Sequence, residues 1–354
     1  MSKTKKLVLV VGAGASNEIG LPLGSDLKKK IATALNHQYE YRQLKRGSGS
    51  PLIESAYKLI VQKANNGLIG DIGPYIQAGW MVRDGMSQAL SIDNYLDAHK
   101  DNELMIEVAK LAIAEVIVES ERNSILHLNP LEQKNKLNFS ALESTWYGHF
   151  FKILTEGCQV EKVAERLSSI AIVTFNYDRC IEQYLHEALM NYYHIDSQDA
   201  IELMGELQIF HPYGYLGDLK WPSTFPNVSF GGEIHAHQLI EIAGKIKTFT
   251  EGTDEGSSEI LEIRECIESA EKIAFLGFAY GKQNLDLLYS PKSLEYRSLA
   301  KVYGTAYLMS DINTKMILDD LLRLGRYARE NVYIDSNLTS TKLFEDCSRA
   351  LSLF

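Results

Sequence analysis

The chain has 354 residues, of which 45% are hydrophobic and 23% charged, and this composition is typical of a folded protein with one large domain or two ordinary ones. Its formal net charge of −10 argues against direct nucleic-acid binding, which needs clustered lysine and arginine side chains. Membrane insertion is also disfavoured, because charged residues interrupt the most apolar stretch, 104–118.

Six short apolar runs predict β-strands, and because they are apolar on both faces they favour parallel strands buried between two layers of helices. Helical patterns lie between most of these runs. The alternation predicts an α/β fold, a doubly wound Rossmann-like parallel sheet of about six strands. The predicted strands are 7–11, 171–174, 207–211, 273–276, 306–309 and 332–334, and the predicted helices are 25–35 (with Ser25 as its cap), 58–64, 102–120, 141–155, 179–191, 257–270, 285–301 and 314–329.

Residues 36–166 interrupt the alternation, since they contain no convincing strand and several helical patterns. We interpret 36–166 as a large helical insertion after the first strand of a single domain that covers 1–354. A second segment, 214–253, is rich in proline, glycine and aromatic residues. It is predicted to form a loop-rich insertion beside the ligand-binding edge of the sheet.

A turn of small residues directly follows the first strand. Glycine there lets backbone N–H groups approach a diphosphate, and a helix start would favour its negative charge. The alternative is a tight turn selected only for packing. The P-loop lysine is missing, and Asn17 stands at the third glycine position of the dehydrogenase fingerprint, so both of those classes are disfavoured. The turn consists of Gly12, Ala13, Gly14, Ala15 and Ser16.

A polar cluster ends the second predicted strand, where Thr174 is followed by Asn176 and Asp178. Ligands of doubly wound sheets bind at the carboxyl ends of the strands. An amide such as Asn176 can orient a ribose through hydrogen bonds, whereas Asp178 and His211 can stabilise positive charge or take a proton. Each residue also has a structural alternative: Asn176 in a turn, Asp178 as a helix cap, and His211 at a strand end.

Cysteine and histidine spacing argues against a metal site, and no metal is predicted. None of the four cysteines forms a C-x-x-C pair. His235 and His237 are two residues apart on a predicted loop, with no obvious third ligand. Four scattered thiols in a chain of this length indicate a reducing compartment, so we expect a cytoplasmic protein.

Five short segments of the chain resemble motifs of the sirtuin-like superfamily, in its bacterial branch of NAD-cleaving defence proteins rather than its protein deacylases. The order of the segments and their placement along the chain carry the resemblance. The segments span residue 7 to about residue 288 and fall at predicted strand ends or in the helical insertion. The matches are GAGAS (12–16) with Gly20-Leu21-Pro22, IDNYL (92–96), TFNYD (174–178), HPYG (211–214), and LGF (276–278) with Asn284-Leu285.

The resemblance implies that Asn176 lies against the nicotinamide ribose and that Asp178 helps to hold the nicotinamide carboxamide. The family's histidine acts on the ribose hydroxyls and directly precedes a glycine, but here Tyr213 occupies that position. Because tyrosine, with a pKa near ~10, is a poorer base than histidine, near ~6.5, we assign the role to His211 and make Tyr213 a positioning hydroxyl. The cofactor-binding residues are Gly12, Ala13, Gly14, Ala15, Ser16, Pro22, Thr174, Gly277, Phe278 and Asn284.

The second insertion contributes aromatic residues that either cover the nicotinamide pocket or form a packed hairpin or a subunit contact. Asp93 lies in the IDNYL motif and has two possible interpretations. It either has a functional role or caps the helix that enters Tyr95. The aromatic residues are Tyr213, Tyr215, Trp221, Phe225 and Phe230.

The leading hypothesis is an NAD⁺ hydrolase that releases nicotinamide and ADP-ribose and acts as an anti-phage defence effector. A destructive activity needs restraint, so we expect activation by homo-oligomerisation or by a partner, and the resemblance implies a hexameric DNA-translocase-type ATPase as one such partner. The first alternative, an NAD-dependent protein deacylase, is disfavoured because the four cysteines lack the spacing of that branch's zinc module. The second, a non-catalytic sensor of NAD⁺ or ADP-ribose, is favoured by Tyr213 in the histidine position.

Overall fold

The structure, a computed structural model, describes residues 4–40, 43–45, 47–128, 136–219, 228–252, 257–289 and 298–354. Its strands are β1 (Leu7–Val11), β2 (Tyr39–Glu40), β3 (Gln43–Leu44), β4 (Ile170–Thr174), β5 (Gln208–Phe210), β6 (Lys272–Leu276), β7 (Lys301–Thr305) and β8 (Val332–Asp335). Its helices are α1 (Ala13–Ser16), α2 (Gly24–Ala34), α3 (Pro51–Ala64), α4 (Gly73–Gly85), α5 (Ile92–Ala98), α6 (Glu103–Arg122), α7 (Phe139–Leu142), α8 (Trp146–Thr155), α9 (Val163–Ser168), α10 (Cys180–Tyr193), α11 (Ser197–Met204), α12 (Ala236–Ala243), α13 (Phe249–Gly252), α14 (Ser258–Glu268), α15 (Lys282–Leu288), α16 (Asp311–Gly325) and α17 (Ser340–Leu351).

Six parallel strands form one sheet in the order β5-β4-β1-β6-β7-β8. The first strand is central, and Val8 lies opposite both Ala171 of β4 and Ile273 of β6. The strand order reverses at β1, since β4 and β5 extend the sheet on one side and β6, β7 and β8 extend it on the other. Dinucleotide-binding Rossmann folds have this order and bind their ligands where it reverses. The predicted doubly wound Rossmann-like fold is confirmed.

The sheet separates two apolar cores, and β1 contributes to both of them. Val8 and Val10 belong to the core that also contains buried residues of α2, α3, α4 and α6. Leu7, Leu9 and Val11 belong to the core formed with α8, α10 and α17. Because successive side chains of a strand point to opposite faces, a strand buried on both faces must be apolar throughout, as β1 is.

The predicted strand 306–309 is wrong, as is the predicted helix 285–301. The strand is β7, which begins at Lys301, and the described helix in this region, α15, ends at Leu288. Gly304 obscured the strand in the sequence, because glycine is disfavoured in strands. A Cβ on Gly304 would lie 2.3 Å from the Tyr280 hydroxyl and 2.6 Å from Ile334 Cδ1, so those side chains would have to move to admit a larger residue. Leu308 instead lies in a turn with a positive φ of 60°.

Three predicted helices begin or break at other residues. Leu23, rather than Ser25, is the N-cap of α2, and its side chain makes no capping hydrogen bond. The predicted helix 58–64 is the end of α3, whose N-cap Ser50 accepts hydrogen bonds from two backbone N–H groups. The predicted helix 141–155 is two helices, because Thr145 caps a new one, α8.

The chain between β1 and β4 covers both faces of the sheet. Its helices α3, α4 and α6 line one core, and α8 lines the other. The expectation that 36–166 lacks a strand misses the antiparallel hairpin of β2 and β3, in which two-residue strands leave too little pattern to recognise. The predicted loop segment 214–253 contains the helices α12 and α13.

Within the described ranges, no helix combines the length and the apolar character needed to cross a bilayer. All four cysteine thiols, Cys158, Cys180, Cys266 and Cys347, are free.

Candidate functional site

The turn after β1 packs directly on the turn after β6. Gly12 N donates to Leu276 O at 2.9 Å, and Gly14 N donates to Gly277 O at 3.0 Å. A Cβ on Gly12 would lie 2.6 Å from Gly277 O, and a Cβ on Gly277 would lie 2.0 Å from Ala15 N. Gly277 also has a φ of 53°, which favours glycine. The glycines therefore have a packing reason as well as the predicted ligand role.

Helices from distant parts of the chain hold this turn in place through hydrogen bonds. Trp146 of α8 donates its Nε1–H to Ala15 O at 2.9 Å. Glu18, in the 3₁₀ turn after α1, accepts from Trp146 N at 3.0 Å and from Thr341 N at 2.9 Å. The turn is therefore fixed by the starts of α8 and α17. Ala13 and Pro22, both assigned to the cofactor site, are half-buried in the same segment.

Asn176, at the tip of β4, contacts the glycine turn through its side chain. Its Nδ2 donates to Ser16 Oγ at 3.0 Å and to Gly12 O at 3.3 Å. Its backbone N–H lies 3.3 Å from Thr174 Oγ1. All four residues are buried. The structure thus brings the predicted diphosphate turn and the predicted ribose-binding amide into direct contact.

Asp178 lies one residue before Arg179, the N-cap of α10, and contacts the start of that helix. Its Oδ1 accepts the backbone N–H of Cys180, the first residue of α10, at 3.1 Å. Burial raises the pKa of the Asp178 carboxyl, although the hydrogen bonds from Cys180 act in the opposite direction. The capping interpretation therefore has a contact in the structure, and the ligand interpretation remains a prediction.

His211 follows β5 and is held from two sides. Its Nε2 lies 2.8 Å from Glu182 Oε1, and its Nδ1 lies 3.4 Å from Asn176 O. Tyr215 stacks on the imidazole with 4.3 Å between ring centroids. Burial lowers the pKa of His211, but the hydrogen bond and charge of Glu182 outweigh it, so the pKa lies above its ordinary value. The short contact favours a proton on Nε2, which donates to Glu182.

Tyr213 and Asn284 meet across the same edge of the sheet. The Tyr213 hydroxyl donates to Asn284 Oδ1. The Tyr213 ring packs edge-on against Phe175 at 5.7 Å, and Phe175 contacts Phe278 at 5.1 Å. Burial raises the pKa of Tyr213 well above its ordinary value, with nearby Asp93 and Asp97 adding to the effect. Tyr213 is thus a neutral hydroxyl near neutral pH, which suits positioning rather than base catalysis.

Helix α5, which carries the IDNYL motif, ties the helical insertion to this edge. The Tyr177 hydroxyl donates to Asp93 Oδ1. Gln283 Nε2 donates to Asp97 Oδ2 at 3.1 Å. Ser91, rather than Asp93, caps the helix, so the capping interpretation of Asp93 is wrong. One helix of the insertion therefore contacts both the β4 tip and α15.

A fully buried ion pair lies beside the β4 tip and was missed in the sequence. Arg179 and Glu121 are each 0% exposed, and Arg179 Nη2 lies 2.6 Å from Glu121 Oε2. Arg179 also donates to Val228 O at 2.6 Å, and Glu121 accepts from Gly231 N at 3.1 Å. The pair therefore joins the end of α6 to the segment that leads into α12. Arg179 directly follows Asp178, but nothing in the sequence marks Glu121 as its partner.

His235 and His237 do not lie on a loop as predicted. His235 is the N-cap of α12, and His237 lies inside that helix. No cluster of three metal-ligating side chains occurs among the residues that the structure describes. Of the aromatic residues assigned to the pocket, Trp221 and Phe225 lie outside the described residues. Phe230 is buried in the core that contains α8 and α10.

A cavity of about 780 Å³ lies at the opposite edge of the sheet, at the amino ends of β6 and β7. Lys272, Lys301 and Tyr327 are among its lining residues. Ligands of doubly wound sheets bind at the carboxyl edge. None of the predicted site residues lines this cavity.

No family model matches the chain, and no curated protein matches it. The strand order and the contacts at the carboxyl edge are therefore the observations from which a function can be argued.

Proposed function

We propose that the chain binds NAD⁺ at the carboxyl edge of the sheet and hydrolyses the bond between nicotinamide and ribose. One observation carries the proposal: the glycine turn after β1 and the polar tip of β4 touch where the strand order reverses. The contacts are those of Asn176 Nδ2 with Gly12 O and Ser16 Oγ. A dinucleotide that binds at this reversal passes the β1 turn with its diphosphate.

The reaction needs little more than positioning and charge stabilisation. Water adds to the ribose C1′ while the bond to the nicotinamide nitrogen breaks, and the electron pair of that bond neutralises the ring. The ribose passes through a state with oxocarbenium character, as in sugar hydrolysis. One proton leaves the attacking water, so the products are nicotinamide, ADP-ribose and a proton.

In this proposal Asn176 orients the ribose through its amide, and His211 takes the proton. Because the Asn176 side chain also donates to the β1 turn, the same residue would link the diphosphate turn to the ribose. Asp178 contributes negative charge where positive charge develops. Tyr213 and Asn284, joined by their hydrogen bond, hold the opposite wall.

A second candidate is a non-catalytic module that binds NAD⁺ or ADP-ribose. It is favoured by the engagement of both His211 ring nitrogens, and of the Tyr213 hydroxyl, with groups of the protein itself. Such a module would bind the dinucleotide without releasing nicotinamide.

Calorimetric titration with NAD⁺ and chromatographic assay of nicotinamide and ADP-ribose separate these functions. We expect the wild-type chain to bind NAD⁺ and, once assembled, to cleave it, and Asn176→Ala to lose at least about a hundredfold in turnover while staying folded. The matched control is Asn191→Ala, an exposed position in the last turn of α10. Binding without turnover, even in the assembled state with any partner, would favour the sensing module, and no binding by the wild type would overturn both candidates.

Two parts of the proposal extend beyond the single chain. We propose that the hydrolase is a defence effector held inactive until it assembles with further copies of itself or with a hexameric translocase-type ATPase. The need to restrain a destructive activity motivates the assembly, and the resemblance to the bacterial sirtuin-like branch implies the ATPase. The scattered thiols favour a cytoplasmic location. The rise of NAD⁺ turnover on addition of such a partner, measured at constant chain concentration, tests both parts.

A further inference from the structure

Glu182 places a carboxylate beside His211, although the two residues are 29 positions apart. Glu182 lies in the first turn of α10, and His211 follows β5. Glu182 Oε1 is 2.8 Å from His211 Nε2, and the imidazole is 6% exposed. The second carboxylate oxygen, Oε2, is buried and has no hydrogen-bond partner in the described part of the chain. A buried, half-satisfied carboxylate destabilises a fold, so packing alone does not account for Glu182.

The two ring nitrogens of His211 are held unequally. The contact of Nε2 with Glu182 is short and charge-assisted, whereas the contact of Nδ1 with Asn176 O, at 3.4 Å, is at the long limit for a hydrogen bond. A carboxylate acceptor fixes the proton on the nitrogen that faces it and thereby selects the tautomer. Nδ1 is then the unprotonated nitrogen of the neutral ring and can take a proton. It faces the backbone carbonyl of Asn176, to which it can donate once it is protonated.

From this geometry we propose that Glu182 is a positioning residue: it keeps His211 protonated at Nε2 so that Nδ1, beside Asn176, exchanges the proton. The inference deepens the proposed function and rests on it for the identity of the reaction. In the hydrolysis, an O–H bond of the attacking water breaks and an N–H bond forms at Nδ1. The resulting imidazolium donates from Nε2 to Glu182, whose negative charge stabilises it.

Other charged and titratable groups surround the same imidazole. Asp178 acts on it through its charge, and Tyr215 stacks on it. The Tyr215 hydroxyl donates to Asp218 at 2.5 Å, and burial is the first cause of its raised pKa, which keeps it neutral. Arg179 lies close enough to lower that pKa, but its own partner is Glu121. Glu182 is the group in direct contact with Nε2, so its removal is the change that reports on the proposal.

The test compares Glu182→Gln with Glu187→Gln. Gln is close to Glu in shape and keeps one acceptor oxygen at position 182, but it removes the charge and replaces the other oxygen with an NH₂ group. Glu187 is a matched control, because it lies on the same helix beside a different histidine, His186. Two properties are measured for each full-length variant: the tautomer and pKa of His211 by nitrogen NMR, assigned with His211→Asn, and the pH dependence of kcat for NAD⁺ hydrolysis.

We expect wild-type His211, above its pKa, to carry its proton on Nε2. Glu182→Gln should lower the pKa of His211, reduce kcat at least about tenfold and move the acid limb of the pH profile to lower pH. Glu187→Gln should leave both properties unchanged. A purely structural role would lower kcat at every pH without moving the limb.

Three results would overturn the inference: a wild-type proton on Nδ1, an unchanged His211 pKa in folded Glu182→Gln, or an acid limb that does not move. The first of these results is measured on the wild type, so it does not require a folded variant at position 182. If the wild type does not hydrolyse NAD⁺ but the NMR results are as expected, the proposed function fails and the Glu182–His211 pairing stands.

Discussion

The two halves of the candidate site are built on different principles. In the glycine half, the turns after β1 and β6 are pressed together backbone to backbone, and a Cβ on Gly277 would lie 2.0 Å from Ala15 N. In the polar half, the residues after β4 and β5 bury charged and hydrogen-bonding groups, with Arg179 and Glu121 both 0% exposed. One half is held together by shape and the other by paired charge.

This difference determines how strongly each half indicates a bound ligand. A glycine that its own neighbours require can be kept without any ligand, so the G-x-G pattern alone is ambiguous. A buried charged network seldom stabilises a fold more than a well-packed apolar core would. Stability alone therefore does not explain why the network is present. The polar half is therefore the stronger indication of a function, and the two halves should respond differently to mutation.

The largest expected effect is in the glycine half. Gly277→Ala forces a methyl group into the backbone of the β1 turn at a φ of 53°, and should lower the free energy of unfolding by at least about 4 kcal/mol. Gly281→Ala, four residues later, is the control, because a Cβ there meets no atom within 4 Å. Urea unfolding measures both variants. A Gly277→Ala protein as stable as Gly281→Ala would show that the two turns can separate.

In the polar half, Glu121→Gln leaves the Arg179 guanidinium buried without a counter-charge. We expect a loss of about 3 kcal/mol in the same unfolding experiment, because an unpaired buried charge costs several kcal/mol. Glu119→Gln is the matched control, since Glu119 lies on the exposed side of the same helix. An effect equal to that of the control would mean that solvent reaches the pair.

The sequence predicted the glycine half more completely than the polar half. The strands β1 and β4 are buried on both faces, so their apolar runs were recognisable, and so were the residues at their tips. Gly277 was identified as part of the site, although its contact with Gly14 depends on strands whose paired residues are 265 positions apart in the chain. Gly304 made β7 hard to recognise in the sequence, because a glycine inside a strand resembles a residue that ends one.

The partners in the polar half could not be read from the sequence, because they come from other elements. Glu121 reaches Arg179 from the end of α6, and Asp93 reaches Tyr177 from α5. Glu182 had a weak signal, since it lies four residues after Asp178, in the first turn of the helix that follows. Which carboxylate faces which base depends on how the helical insertion packs, and no local pattern encodes that.

A smaller effect is expected where the insertion meets the sheet. Tyr177→Phe removes the hydroxyl that donates to Asp93, and should destabilise the chain by about 1–2 kcal/mol because the carboxylate loses its partner. Backbone hydrogen exchange should accelerate more in α5 than in α2, because α5 loses one of its contacts with the carboxyl edge of the sheet. Tyr192→Phe, at a 53% exposed position, is the control. Equal exchange rates in α5 for both variants would contradict this role.

The smallest effect is a pH dependence that belongs to the polar half alone. The pKa of folded His211 lies above the ordinary value of 6.5, so its contribution to stability is complete below 6.5 and is lost as the pH rises through the folded pKa. Wild-type stability should therefore fall as the pH rises from about 6.5 through the folded pKa. Glu182→Gln should flatten this fall, because the raised pKa depends on the Glu182 charge. Gly281→Ala, which changes only shape in the other half, should keep the wild-type slope, and a slope unchanged in Glu182→Gln would show that the two halves do not differ in this way.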